Sequence, residues 1–173
     1  MFVLSRDQTA QAVLPFDKNQ FADELAKQQI NQLYYSGQTG VGDELALSAQ
    51  SAVEGFDGQK MLEMKAVSAS IKGKNGLEIE ATAQFGQYLY SEKLLKMTGA
   101  VLISSSSGYK LSSPELRILI DGTYIFGEGP IEGLSPMGKI YAGRMEITRK
   151  NAKAPMQVWF GEKVVLDYEP SEI

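Results

Sequence analysis

The stretch 94-LLKMTGAVLISSSSGYKLSSPELRILI-120 decides the fold class. Leu95, Met97, Val101 and Ile103 fall at alternating positions, the period of two that gives an extended strand one apolar face. Four serines and a glycine break the pattern. It resumes with Tyr109 and Leu111 and, past Pro114, with Leu116, Ile118 and Ile120. Two strands joined by a turn satisfy this spacing.

Working outward, the same period extends in both directions. Strands are expected at 33–36, 43–53, 60–71, 77–90, 94–104, 109–120, 123–126, 138–147 and 155–168. Turn residues punctuate them in 55-GFDG-58, 73-GKNG-76, 104-SSSSG-108, 121-DG-122, 127-GEGP-130 and 150-KNAKAP-155. In 77-LEIEATAQFGQY-88, Leu77, Ile79, Ala81, Ala83 and Phe85 share one face, and Glu78, Glu80, Thr82 and Gln84 the other. In 43-DELALSAQSAV-53, Leu45, Leu47, Ala49 and Val53 share a face. Small residues recur at inward positions (Ala49, Ser51, Ala81, Ala83, Gly99), leaving room for another backbone or a ligand. No βαβ alternation occurs, so the chain is all-β: a sandwich, a jelly roll or an open barrel.

Two features stand outside the regular pattern. Residues 1–16 have no period and read as linker, while 17-DKNQFADELAKQQINQL-33 places Phe21 with Leu25 and Ala22 with Ala26 at helical spacing. A short helix is expected there, capped by Asp17 or Asn19. The run 158-VWFGEKVVL-166 echoes 95-LKMTGAVLI-103 with irregular parity, which puts a bulge near Gly161.

Composition removes most chemistry. The 173 residues hold no cysteine and no histidine, so thiol nucleophiles, disulfides, His-based triads and His- or Cys-ligated metals are excluded. A net charge of −4, with no stripe of basic and aromatic residues, argues against nucleic acid. No apolar run is long enough to span a membrane. Phe2, Val3 and Leu4 at the start are either the end of a removed anchor or an ordinary ragged terminus.

The remaining candidates each have a plainer explanation. Glu78 and Glu80, about 7 Å apart at a rise of ~3.3 Å per residue, could pair for glycoside hydrolysis or simply form a solvated strand face. The segment 127-GEGPIEG-133 lacks the strand–loop–helix context of a phosphate loop and reads as turn glycines. Ser104 to Ser107 have no histidine partner. Trp159 with Phe160, Tyr168, Tyr88 and Tyr90 makes either a carbohydrate platform or packing. The aspartates show no calcium-loop spacing. No catalytic residue, cofactor or metal site is assigned.

The opening stretch resembles the LptC/LptA/OstA β-jellyroll family of the lipopolysaccharide export bridge of Gram-negative bacteria. Ala83, Gly86, Tyr88, Leu95, Met97, Gly99, Val101, Ile103, Gly108, Leu111 and Ser113 follow that family's repeat in order. In 130-PIEGLSPMGKIYAGRMEI-147, Pro130, Ile131, Gly133, Gly138, Ile140, Ala142 and Met145 match a second segment, with Gly143-Arg144 departing from it. The closing 156-MQVWFGEKVVLDY-168 is similar to the last strand, with Lys163 where an apolar residue is usual. The likeness covers roughly residues 33–168. Within the family it is most similar to the LptC branch of the alphaproteobacterial kind, with a soluble LptA/OstA-like bridge protein as the alternative.

The resemblance implies an incompletely closed, V-shaped jellyroll at 33–168, preceded by a helical or coil segment at 1–32 and followed by a tail at 169–173. It implies that lipid acyl chains ride between the two sheets, lined by Leu47, Ile79, Ala81, Phe85, Met97, Gly99, Val101, Ile103, Leu111, Ile118 and Ile140. It implies two docking edges. Leu33, Tyr34 and Tyr35 would face an inner-membrane ABC transporter of the LptB/LptF/LptG type. Val158, Phe160, Lys163 and Val165 would face an LptA-type bridge protein. It implies a periplasmic domain on a single inner-membrane helix, of which Phe2 to Leu4 would be the end, serving outer-membrane biogenesis. Gly99 and Gly138 are expected to need small side chains, an acidic residue at Gly99 projecting into the apolar interior. The competing class is a structural β-sandwich whose interior is filled by its own side chains.

Overall fold

The computed structural model describes residues 30–56, 60–121, 124–151 and 153–168. The linker at 1–16, the part of the expected 17–33 helix that precedes Ile30, the anchor remnant and the tail at 169–173 lie outside these residues.

Among the described residues, ten strands form one antiparallel sheet. They are β1 (Ile30–Gln38), β2 (Glu44–Phe56), β3 (Lys60–Lys72), β4 (Glu78–Leu89), β5 (Leu94–Ser105), β6 (Lys110–Leu119), β7 (Tyr124–Ser135), β8 (Gly138–Thr148), β9 (Gln157–Gly161) and β10 (Val165–Tyr168). Strands β1 to β8 neighbour one another in chain order, and β9 and β10 both pair with the far side of β8. The sheet does not close: β1 lies at one end, and β9 with β10 at the other. This is an open, all-antiparallel β-jellyroll, the fold class expected from the alternation.

Three boundaries differ from the sequence reading. Strand β1 begins at Ile30, inside the segment of helical spacing, because Ile30 and Leu33 pack against the core. Tertiary burial overrides a short local period. Strand β7 runs straight through 127-GEGP-130, which is a bulge rather than a turn. The expected last strand divides into β9 and β10 around Glu162 and Lys163, both at positive φ.

Strands β2, β3, β4, β6 and β8 change the face they bury along their length, while β5 and β7 keep one parity through a bulge. Buried positions switch parity between Ala49 and Ala52 in β2, Met64 and Val67 in β3, Ala83 and Tyr88 in β4, Ser113 and Leu116 in β6, and Ala142 and Met145 in β8. Register shifts fall on the same line in the β4–β5, β5–β6, β6–β7 and β7–β8 pairs. Left-handed residues on the odd strands supply the kinks: Gln32, Ala66, Gly99, Ala100 and Gly129. Bulges bend a strand and let it pass from one layer to another. The one sheet is thereby folded over into two facing layers.

Proline and serine chemistry fits that line. Pro114 occupies the β6 kink, where a skipped register position needs no backbone donor. Ser113, 4 % exposed, stands beside it. Its hydroxyl donates to the Glu115 carbonyl at 2.7 Å and accepts from the Glu115 N–H at 3.4 Å, satisfying backbone groups that the broken ladder leaves over.

The core is continuous through both layers, from Tyr35 and Leu45 to Met145 and Ile147. A buried ion pair ties the layers together. Asp43, in the β1–β2 turn, accepts from both terminal nitrogens of Arg149, just past β8. Asp43 is fully buried and the Arg149 side chain is 5 % exposed. The turn is fixed by Thr39, whose N–H donates to the Asp43 carbonyl at 2.9 Å and whose hydroxyl accepts the Asp43 N–H at 3.1 Å.

Candidate functional site

The space between the layers is the candidate site, and alternation on each strand selects its lining. Leu47, Ile79, Ala81, Met97, Val101, Ile103, Leu111, Ile118 and Ile140 all point inward and are buried. Phe85 does not. It is 51 % exposed, because the β4 kink places Gln84 and Phe85 consecutively on the outer face.

Gly99 is corrected likewise. It has φ +80, and a Cβ built on it would meet Gln84 and Phe85 at 3.0–3.1 Å, on the outside. An acidic residue there is not driven into the interior. Gly99→Ala and Gly99→Asp should each cost about 1–2 kcal/mol of backbone strain. Urea unfolding checks this; a far larger loss for Asp than for Ala would return Gly99 to the interior.

The layers pack closely: a cavity of about 20 Å³ at one end of them is lined mainly by apolar side chains, with Ser105 and Ser107 among its walls. Leu77, Ile79, Ile103 and Leu111 line it from one layer, and Met145, Ile147 and Val158 from the other. Tyr109 lies 6.1 Å from Phe160 across the same gap. Tyr88 and Tyr90 pack edge to face at 5.3 Å elsewhere in the interior. Burial, with Tyr90 and Tyr35 nearby, pushes the Tyr88 hydroxyl up to about 12. Trp159 is 59 % exposed on β9, so Trp159, Tyr88 and Tyr90 form no common platform.

At the sheet edges, Leu33 and Tyr35 turn inward on β1 and Tyr34 outward. Val158 and Phe160 on β9 pack against the core. Val165, with Leu166 and Tyr168, is exposed on β10. Lys163 is not on a strand. It sits in the break between β9 and β10, where the Glu162 carbonyl accepts the Gly143 N–H at 2.7 Å. In place of the bulge expected near Gly161, the strand breaks between Gly161 and Val165.

The remaining candidates are structural. Glu78 and Glu80 lie exposed on the outer face, Glu80 accepting from the Ser68 hydroxyl at 3.3 Å. Ser106 pins its turn to β4: its hydroxyl accepts the Glu78 N–H and its own N–H donates to the Glu78 carbonyl. Among the described residues no group of three acidic side chains could hold a metal ion. Nor is any helix there long and apolar enough to cross a membrane.

The outer face carries a charge ladder. Glu115 pairs with Lys96 at 3.1 Å and with Arg117 at 2.7 Å, and Arg117 reaches Glu128 at 3.2 Å. Burial alone would raise the Glu115 carboxyl, but the hydrogen bonds and charges of Lys96 and Arg117 outweigh it and hold the group below its ordinary range. A lowered folded value stabilises the fold above the ordinary 4.5, and this contribution is lost as pH falls through the folded value. Glu115→Gln should therefore destabilise at pH 7 and be nearly neutral at strongly acid pH, read from urea midpoints at the two values.

Sequence reasoning missed the Asp43–Arg149 pair and the inward Glu54. The pair joins residues 106 apart, which no local pattern records. Glu54 shares the inward side with Ala52 only because β2 switches parity.

Among the described residues the site is thus an apolar interior within a folded-over antiparallel sheet, with β1 at one end of the sheet and β9 with β10 at the other. The model of the family described as lipopolysaccharide-assembly, LptC-related, matches residues 43–157, and the chain belongs to that family. Comparison with curated proteins gave no match. Family membership assigns the chain a non-catalytic role in lipopolysaccharide transport in the periplasm.

Proposed function

We propose that this domain conducts lipopolysaccharide by holding its acyl chains between the two layers. It receives the lipid from an inner-membrane ABC transporter of the LptB/LptF/LptG type at β1 and passes it to an LptA-type bridge protein at β9 and β10. A single membrane helix ahead of the domain would tether it to the inner membrane. The observation that carries this reading is the topology: one continuous sheet, free edges at its two ends and an apolar interior between them. Free edges invite strand addition. The exposed Val165, Leu166 and Tyr168 leave β10 with apolar surface to cover. Each methylene transferred from water contributes about 0.8 kcal/mol. A multi-chain lipid thus offers apolar surface to replace contacts between layers that meet mainly through apolar side chains.

Photocrosslinkers placed at Ile79 and Val101 should capture lipopolysaccharide, while those at Glu80 and Lys96 should not. Equal labelling of both pairs would remove the support for an interior site. The close packing of the buried apolar cluster favours a second reading, a structural link in the same assembly. That reading predicts no lipid adduct at any of the four positions and undiminished binding of the bridge protein.

A further inference from the structure

We infer that Glu54 is a polar subsite at the rim of the interior, accepting a hydrogen bond from an amide N–H or a hydroxyl on the acylated part of a bound lipid. The inference rests on the lipid-conducting reading above.

Glu54 stands near the end of β2, opposite the fully buried Leu62 of β3. It lies on the same side of the strand as Ala52, which is 1 % exposed, so its carboxylate turns toward the interior. Its side chain is 13 % exposed, and Oε1 is 3.8 Å from the Lys60 ammonium, itself on a side chain 60 % exposed. Oε2 is buried and has no hydrogen-bond partner. Tyr90 lies close by. Burial and then the Glu54 charge push its hydroxyl up to about 12. Tyr88 packs edge-on against Tyr90 and is 2 % exposed.

A carboxylate oxygen left without a donor in a buried place is rare, and each case asks for a cause. Packing gives none, since a methionine would fill the same volume without the desolvation cost. The surroundings give one. Glu54, Leu62 and Tyr88 stand in one row across the ends of β2, β3 and β4, with the exposed Lys60 two residues nearer the tip of β3. An amphiphile with its chains between the layers sets its own polar–apolar boundary at that level. There, a hydroxyacylated amino sugar presents amide N–H and hydroxyl donors. A glycerol diester lipid presents only ester oxygens, which a carboxylate cannot bind and electrostatically opposes. Glu54 therefore selects for donors at the root of the acyl chains.

The test compares two lipids of matched chain length on the intact domain: lipid A, which bears hydroxyacyl amides, and a diacyl phosphatidylglycerol. Glu54→Met removes the acceptor at nearly constant volume, and Glu54→Gln keeps an acceptor oxygen. Expected for Glu54→Met are lipid A affinity lower by about tenfold, the loss of one charge-assisted hydrogen bond, and phosphatidylglycerol affinity unchanged or higher. Glu54→Gln should stay within about threefold of wild type for lipid A. The unliganded Glu54→Met protein should unfold no earlier than wild type. An equal loss for both lipids, no loss for either, or a markedly earlier unfolding of Glu54→Met would overturn the inference, assigning the carboxylate to water or to the fold. If wild type binds neither lipid, the conducting reading itself fails and this subsite falls with it, an outcome seen before any variant is compared.

Discussion

Asp43→Ala should lower the unfolding free energy by about 3–5 kcal/mol, because it strands a buried guanidinium without its counter-charge. Domains of this size commonly have about 5–15 kcal/mol in total, so the loss should be visible as a large fall in urea midpoint at neutral pH. The cost comes from the geometry already described. Arg149 is held by both Asp43 oxygens, and its Nε already lacks a partner. Removing both charges should be milder than removing one: Asp43→Leu with Arg149→Met should recover much of the deficit, since apolar replacements of a buried pair are often close to neutral. The exposed Arg144–Glu162 pair, with side chains 48 % and 65 % exposed, is the control. Its removal should cost under about 1 kcal/mol. A shift of that small size for Asp43→Ala would mean that water reaches the pair.

Gly133→Ala should cost about 3 kcal/mol, the upper end of overpacking effects. A Cβ on Gly133 would press into the Lys110 carbonyl oxygen and lie 2.9 Å from the Leu111 Cα. Both neighbours are backbone of β6, so no side chain can swing away, and the β6–β7 ladder must open. Gly76 makes the contrast. Its φ is +84, and nothing lies within 4 Å of its would-be Cβ. Gly76→Ala should then show strain alone, about 1 kcal/mol. Equal losses at the two positions, measured by thermal or urea unfolding, would show that the close approach at Gly133 is relieved by movement of the strand.

The strands and their order are legible because burial on one face writes itself as alternation. Leu95, Met97, Val101 and Ile103 are inward as their spacing requires. The spacing fails at Phe85 and Gly99 for one physical reason. A period of two carries through a strand only while the strand stays straight, and each of these residues lies at a kink. The same reason hides Glu54, which looks outward until β2 changes parity. Glycine is the ambiguous letter. In 127-GEGPIEG-133 it reads as a turn, although the chain continues as strand, because a left-handed residue can end a strand or merely bend it. The Asp43–Arg149 pair lies beyond any local reading, since only the folding of the sheet over itself brings its members together.

The kinks also bear on how such a molecule grows. Among the residues at positive φ, Gln32, Ala66, Gly99 and Gly129 on the odd strands and Glu162 between β9 and β10 stand roughly 33 residues apart, or one per hairpin. Each hairpin therefore ends in the same phase as it began, displaced by two strands along the sheet. A body with that screw-like repeat has no intrinsic length. Inserting one more hairpin of the same period would lengthen it by about 9.5 Å, two strand spacings, and leave every existing kink in place. Duplication of a single unit could thus change the span of the domain without asking evolution for a new architecture.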